Sequence, residues 1–169
     1  GYEDENRLIL ALQHFIAQEK PDVLILEDYN KGVLTELVIK KTIDLCRNNG
    51  IITAVDPKRK HFFSYTGVDI FKPNLKEVKD ALNIMATGTD VEALNSIHIQ
   101  LKEQLQHRIS FITLSEKGVF YNAEQESAII PSHIRNIADV SGAGDTVIAT
   151  AALVFAATKN VQLMAAVSN

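Results

Sequence analysis

Short apolar runs alternate with amphipathic helical stretches along this chain, and that alternation constrains the fold more than any single residue. Leu8, Ile9, Leu12, Phe15 and Ile16 recur at helical spacing, which predicts a helix over 7–19 with Pro21 just past its end. Val23–Leu26 is a continuous apolar run, the pattern of a strand buried on both faces. A helix over 35–48 follows and is stopped by Asn48-Asn49-Gly50; Ile51–Val55 is the next strand, ended by Asp56-Pro57. Val68–Phe71 reads as a strand leading through Lys72-Pro73-Asn74 into a helix that carries Leu75, Val78 and Leu82. Asp90 is a suitable N-cap for a helix bearing Val91, Leu94, Ile97, Leu101 and Leu105. Ile109–Leu114 is again a buried-type strand. Gly118–Asn122 and Ser127–Pro131 alternate like a hairpin about the turn 122–125. A long apolar helix starts at Ala143, and another near Val161. Strands alternating with helices predict an α/β fold, a mostly parallel sheet covered by helices on both sides in three α/β/α layers.

Composition narrows the class of partner. The 169 residues are 46% apolar and 22% charged, an ordinary globular balance, and the net charge of −4 argues against a nucleic-acid binder, which needs clustered Lys and Arg. The one basic run, Lys58-Arg59-Lys60-His61, is short; it reads as a solvated loop or, beside Asp56-Pro57, as a phosphate contact. Cys46 is the only cysteine, so no internal disulfide can form, and its helical position predicts a buried thiol in a reducing compartment. No apolar stretch reaches the roughly 18–20 residues that span a bilayer, and the acidic start is not a signal peptide. The expectation is a cytoplasmic protein without membrane contact. Both ends fall in helical sequence, so the expectation for 1–169 is part of one larger domain.

In a parallel α/β sheet, ligands sit beyond the carboxyl ends of the strands. The polar clusters of this sequence fall there: Asp28–Gly32, Asp56–Lys58, Asn74–Glu77, Ser115–Gly118 and Ser141–Asp145. The last is the most informative. Gly142 and Gly144 flank Ala143 directly ahead of a long apolar helix, where backbone N–H groups and the positive end of the helix can meet an anion. Asp145 then stands in the first turn, beside that anion. A carboxylate there is costly unless it works, for example by accepting a proton from an attacking hydroxyl. The plainer alternative is a tight turn with Asp145 as helix cap. Glu77, on the first helical turn after a strand, reads either as ordinary helix-start charge or as a carboxylate able to hold a hydrated Mg²⁺.

The segment Asp139-Val140-Ser141-Gly142-Ala143-Gly144-Asp145-Thr146 resembles the C-terminal signature of the ribokinase-like (PfkB) carbohydrate kinases. The resemblance implies that Gly142, Ala143 and Gly144 form the anion hole for the transferring phosphoryl group and that Asp145 is the base for the sugar hydroxyl. Asn74-Leu75-Lys76-Glu77 resembles the family's N-x-x-E, implying that Asn74 and Glu77 place nucleotide phosphates and Mg²⁺, with Glu77 reaching the metal through water. Ile112–Gly118 resembles the T-L-G-x-x-G segment, with Ser115 where the family more often carries Gly. It implies nucleotide contacts from Thr113, Ser115 and Gly118.

Two further segments resemble one branch, the bacterial heptose-phosphate kinases: Leu26-Glu27-Asp28-Tyr29-Asn30-Lys31-Gly32-Val33-Leu34, like S-D-Y-x-K-G-x-L with Glu27 in place of Ser, and Ala54-Val55-Asp56-Pro57-Lys58, like I-D-P-K. Asp28, Lys31 and Lys58 are the implied sugar-phosphate contacts. The lysines suit a sugar that already carries phosphate, although each also reads as a solvated loop residue. The resemblance covers roughly 20–169 and implies a ribokinase-like fold, ATP and Mg²⁺ as cofactors, and a small phosphosugar as partner, with room for a homodimer of the full-length protein. The N-terminal sugar-binding and lid part has no counterpart here, so weak or no activity is expected of the chain alone. The other readings are a different sugar kinase, of ribokinase or phosphofructokinase type, and a non-catalytic nucleotide-binding fragment.

Overall fold

The strand-forming runs assemble into one six-stranded sheet in a computed structural model that describes residues 1–124, 126–132 and 142–169. The strands are β1 (Val23–Glu27), β2 (Ile52–Asp56), β3 (Ile70–Phe71), β4 (Ile109–Thr113), β5 (Val119–Ala123) and β6 (Glu126–Ile130), neighbours in chain order. β1 to β4 are parallel; β5 and β6 turn back antiparallel, as the hairpin pattern predicts. The helices are α1 (Tyr2–Glu19), α2 (Glu36–Asn48), α3 (Leu75–Leu82), α4 (Val91–Leu105), α5 (Ala143–Thr158) and α6 (Val161–Ser168), with short 3-10 turns at Arg59–His61 and Ser115–Lys117.

Two cores make the layers. On one face, Ile39 and Ile43 of α2, Val78 of α3 and Leu94, Ile97, Leu101 and Leu105 of α4 pack on Val55, Phe71, Ile112 and Phe120. On the other, Ile148, Ala151, Ala152 and Phe155 of α5 and Met164 and Ala165 of α6 cover Ala54, Ile70, Phe111 and Tyr121. Small residues at 151 and 152 let α5 lie close to the sheet, where it meets β1 and β2. The three-layer α/β/α architecture is therefore as the residue pattern implies. α1 lies outside, against α2, through a small cluster of Ile16, Cys46 and Ile51. Cys46 is fully buried and unbridged, and burial pushes its thiol up to about 11.

Three expectations shift. α1 begins at Tyr2 rather than residue 7, because acidic Glu3, Asp4 and Glu5 suit a first helical turn. β3 is paired only over Ile70–Phe71, although Val68 and Asp69 still exchange backbone bonds with Arg108, Ile109 and Thr53. β1 was expected to be buried on both faces, but Val23, Leu24 and Ile25 are only partly buried, since β1 is the edge of the described sheet. Between α4 and β4, His98 Nδ1 and His107 Nε2 both meet Ser110 Oγ, at 2.8 and 2.6 Å. Burial lowers these imidazoles to about 4 and about 3, so both are neutral ties between layers. Among the described residues no helix is long and apolar enough to cross a membrane.

Candidate active site

The carboxyl ends of β1 to β4 form one rim, and each presents a polar group there: Glu27, Asp56, Lys72 just after β3, and Thr113. α5 starts above this rim. Gly142 takes φ +77°, a left-handed conformation that a side chain disfavours, and its carbonyl oxygen accepts from the Thr146 N–H at 3.0 Å. Ala143 and Gly144 are exposed, and Asp145 is half-buried in the first turn. The preceding residues of the signature, Asp139, Val140 and Ser141, lie outside the described residues, as does Gln125 of the predicted hairpin turn.

Beneath the turn runs a chain of alternating charges. The Lys72 ammonium, with a side chain only 4% exposed, pairs with Asp56 Oδ2 at 2.9 Å. Asp56 Oδ1 accepts from Lys58 Nζ at 2.9 Å, and Lys58 Nζ also donates to Glu77 Oε1 at 2.8 Å. Glu77 Oε2 accepts from the Asn74 N–H, while Asn74 Oδ1 accepts from the Glu77 N–H, both at 2.8 Å, a capping box that opens α3. A methyl group built on Gly144 would stand 3.6 Å from the Asp56 carboxylate and 3.8 Å from the Lys72 ammonium, so this glycine lies directly over the buried pair. Burial disfavours the Lys58 cation, yet its hydrogen bonds to Glu77 and Asp56 outweigh that and hold it above the ordinary lysine value.

Two cavities lie near the turn; the first is bordered by its residues, and the second meets it through Tyr29. One, of about 1050 Å³, is bordered by Asn74, Thr113, Ser115, Gly118, Ala143 and Gly144. Asn74 and Thr113 sit side by side in a parallel bridge, which joins two of the predicted nucleotide-contacting segments. Ser115 adopts φ +58°, the left-handed region that the glycine commoner at this place would favour, and its carbonyl accepts from the Gly118 N–H at 3.0 Å. The other cavity, of about 580 Å³, is lined by Glu27, Asp28, Tyr29, Lys31, Val33 and Leu34. Lys31 is exposed in it. Asp28 is buried and fully used: Oδ2 accepts from Tyr65 Oη and Oδ1 from the Asn30 N–H, each at 2.8 Å, which shapes the loop between β1 and α2.

The predicted residues thus fall into two groups around Gly142–Asp145. Asn74, Glu77, Thr113, Ser115 and Gly118 lie on one side and Asp28 and Lys31 on the other. Lys58 sits between Asp56 and Glu77 rather than free in either cavity. Four members of the site are not among the predicted contacts. Tyr29 Oη donates to Asp145 Oδ2 at 2.7 Å, Lys72 and Asp56 form the buried pair, and Glu27 stands close to both acids. Burial, then the charges of Asp145 and Asp56, hold the Glu27 carboxyl above its usual value. A buried Lys immediately after a strand was the available signal for Lys72. The Tyr29–Asp145 contact joins residues 116 apart and has no local signal.

The donor set suits a hydrated divalent cation. Asp56 Oδ1 and Glu77 Oε1 already converge on one positive charge, the Lys58 ammonium, each within 2.9 Å, and carboxylate oxygens are the ligands Mg²⁺ prefers. Among the described residues no three His, Cys, Asp or Glu side chains group to hold a metal directly; Glu77 and Asp56 would hold such an ion through its water.

Comparison with known proteins places this geometry in a family. The chain is 38% identical over 151 residues to the bifunctional protein HldE of Sulfurimonas denitrificans, covering 88% of this chain and 30% of that protein. It is 35% identical over 170 residues to HldE of Mesorhizobium japonicum, covering 98% and 33%. The chain therefore spans about a third of the length of these curated relatives. In fold it is similar to phosphofructokinase-2 from Escherichia coli in complex with fructose-6-phosphate (TM-score 0.74, 15% identity, 93% of this chain and 52% of that one). It is also similar to ribokinase from Arabidopsis thaliana complexed with ribose and ATP (TM-score 0.67, 16% identity, 85% and 46%). The pattern of the pfkB family carbohydrate kinases matches residues 4–169, nearly the whole chain, and with that match the protein belongs to this family.

Proposed function

We propose that the chain carries the nucleotide cleft, anion hole and catalytic base of an ATP-dependent sugar kinase. The acceptor is D-glycero-β-D-manno-heptose 7-phosphate, phosphorylated at C1. The observation that carries the reading is the position of Gly142–Asp145, a turn at a helix start that borders the 1050 Å³ cleft through Ala143 and Gly144 and reaches Tyr29, a lining residue of the 580 Å³ cavity, through Asp145. The identity of 35–38% to HldE proteins supports the heptose branch. Coverage of about half of each solved neighbour supports reading residues 1–169 as the C-terminal portion of a ribokinase-like domain.

In this mechanism ATP lies in the larger cleft, along Asn74, Thr113, Ser115 and Gly118, with its γ-phosphate at the N–H groups of the α5 start. Those groups and the helix dipole stabilise charge on the transferring phosphoryl. Lys72 lies buried under Gly144, where its ammonium offsets the charge of Asp56 beneath the anion hole. Asp145 accepts the proton of the attacking hydroxyl. Lys31, exposed in the smaller cavity, meets the phosphate already on the sugar; Asp28 holds the loop that presents it, and Lys58 adds charge that it shares with Asp56 and Glu77. Magnesium, when bound with the nucleotide, supplies neutralisation of the β- and γ-phosphate charge.

The test is an acceptor panel with the full-length protein and ATP. Phosphorylation of heptose 7-phosphate with kcat/KM well above that for fructose 6-phosphate or ribose is expected. Preference for either of the other sugars would replace the heptose assignment.

A further inference from the structure

We propose that Tyr29 is a latch on the catalytic base: its phenol occupies the oxygen of Asp145 that the acceptor hydroxyl needs, and the incoming acceptor displaces it. The inference rests on the reading of Asp145 as the base. A phenol O–H and a sugar O–H are the same kind of donor to a carboxylate, and Tyr29 Oη already stands at 2.7 Å from Asp145 Oδ2. Tyr29 also lines the 580 Å³ cavity, so a ligand that enters there meets the residue that holds this contact.

The surroundings allow the ring to leave while the loop stays. On one side Asp28 is 4% exposed and tied to Tyr65 and to the Asn30 N–H. On the other, Asn30 takes a left-handed φ of +54° that turns the chain, and Thr35 caps α2. The Tyr29 side chain itself is 55% exposed, and among the described residues its hydroxyl makes this one hydrogen bond. Rotation about its side-chain bonds therefore costs one exposed hydrogen bond and little packing. The bond to Asp145, with some burial and the charge of Asp145, pushes the phenol up to about 12, so at neutral pH it keeps its proton and stays a donor. A neutral donor is what this corner accepts, because Glu27, Asp56 and Asp145 already concentrate negative charge there.

The latch has a chemical purpose. With ATP bound and no sugar present, a water on Asp145 could attack the γ-phosphorus. The water oxygen would bond to phosphorus, the bond from phosphorus to the β–γ bridging oxygen would break, and the water proton would pass to Asp145, releasing ADP and phosphate. The phenol fills one of the two carboxylate oxygens, so a water at that oxygen must displace a pre-placed donor, whereas a sugar held by several contacts can do so.

The experiment compares the full-length protein with its Tyr29→Phe and Asp145→Asn variants, measuring ADP release without acceptor and phosphorylation of heptose 7-phosphate. Tyr29→Phe is expected to raise acceptor-independent ADP release about fivefold, the scale of one exposed hydrogen bond, and to lower the acceptor KM. Unchanged ADP release with an unchanged KM overturns the latch. A joint fall of transfer and hydrolysis also overturns it, and makes Tyr29 a residue that holds Asp145 in place. The base reading is judged separately: it fails if Asp145→Asn retains transfer, whatever Tyr29→Phe does.

Discussion

Buried charge dominates at the scale of single residues. Lys72 and Asp56 lie almost out of water beneath the glycine turn, and removing one partner leaves the other without part of its compensation. Breaking a buried pair costs about 3–5 kcal/mol; because Lys58 still reaches Asp56, the lower end applies here. Lys72→Met is therefore expected to lower unfolding stability by about 3 kcal/mol in urea denaturation, and Lys72→Met with Asp56→Leu to recover most of it. A Lys72→Met protein as stable as the parent would contradict the pairing. Residue chemistry also marks where sequence reading reached its limit. The turn at Gly142 and the start of α5 are legible because a glycine pair stands directly ahead of an apolar helical run; the chemical role of Gly142, Gly144 and Asp145 comes from the family resemblance. Lys58 reads as a free cation in sequence, since nothing local reveals that Glu77, 19 residues on, folds back to it. Tyr29 and Asp145 meet only because the loop after β1 and the start of α5 share one rim.

Periodicity made the elements themselves readable. Helices α2 to α6 and strands β1, β2, β4, β5 and β6 stand within a few residues of where apolar spacing and caps place them, with Asp90 accepting from the Ala93 N–H as an N-cap should. β3 is shorter than its apolar run because pairing depends on both neighbours, which the run itself does not encode. The residue just ahead of the β5–β6 hairpin borders the larger cleft. Gly118 has φ +96°, and a methyl group there would run into the Ile130 carbonyl oxygen and the backbone at Pro131 and Ser132. Gly118→Ala is expected to destabilise by about 2 kcal/mol or more, from strain and displaced backbone, and to weaken ATP binding at the cleft edge. Equal stability and unchanged ATP affinity, by denaturation and calorimetry, would show that the segment is not fixed as described.

At the scale of the whole molecule, an edge strand, a parallel core and an antiparallel hairpin set all the chemistry on one rim. The alternating pattern predicts that rim, because parallel strands joined by helices must end on the same side. What it does not encode is how the α5 start settles over the ends of β2 and β3, or that the rim holds two separate cavities, one bordered by Ala143 and Gly144 and the other reached through Tyr29. In the proposed function that division keeps nucleotide and acceptor apart, with Gly142–Asp145 acting on both. The most direct measurement is turnover of the full-length protein carrying Asp145→Asn, with ATP and heptose 7-phosphate, alongside calorimetric ATP affinity. A fall in kcat of roughly 10²–10⁴-fold, the range for a lost general base, with ATP affinity nearly unchanged is the predicted result; turnover close to that of the parent would contradict it.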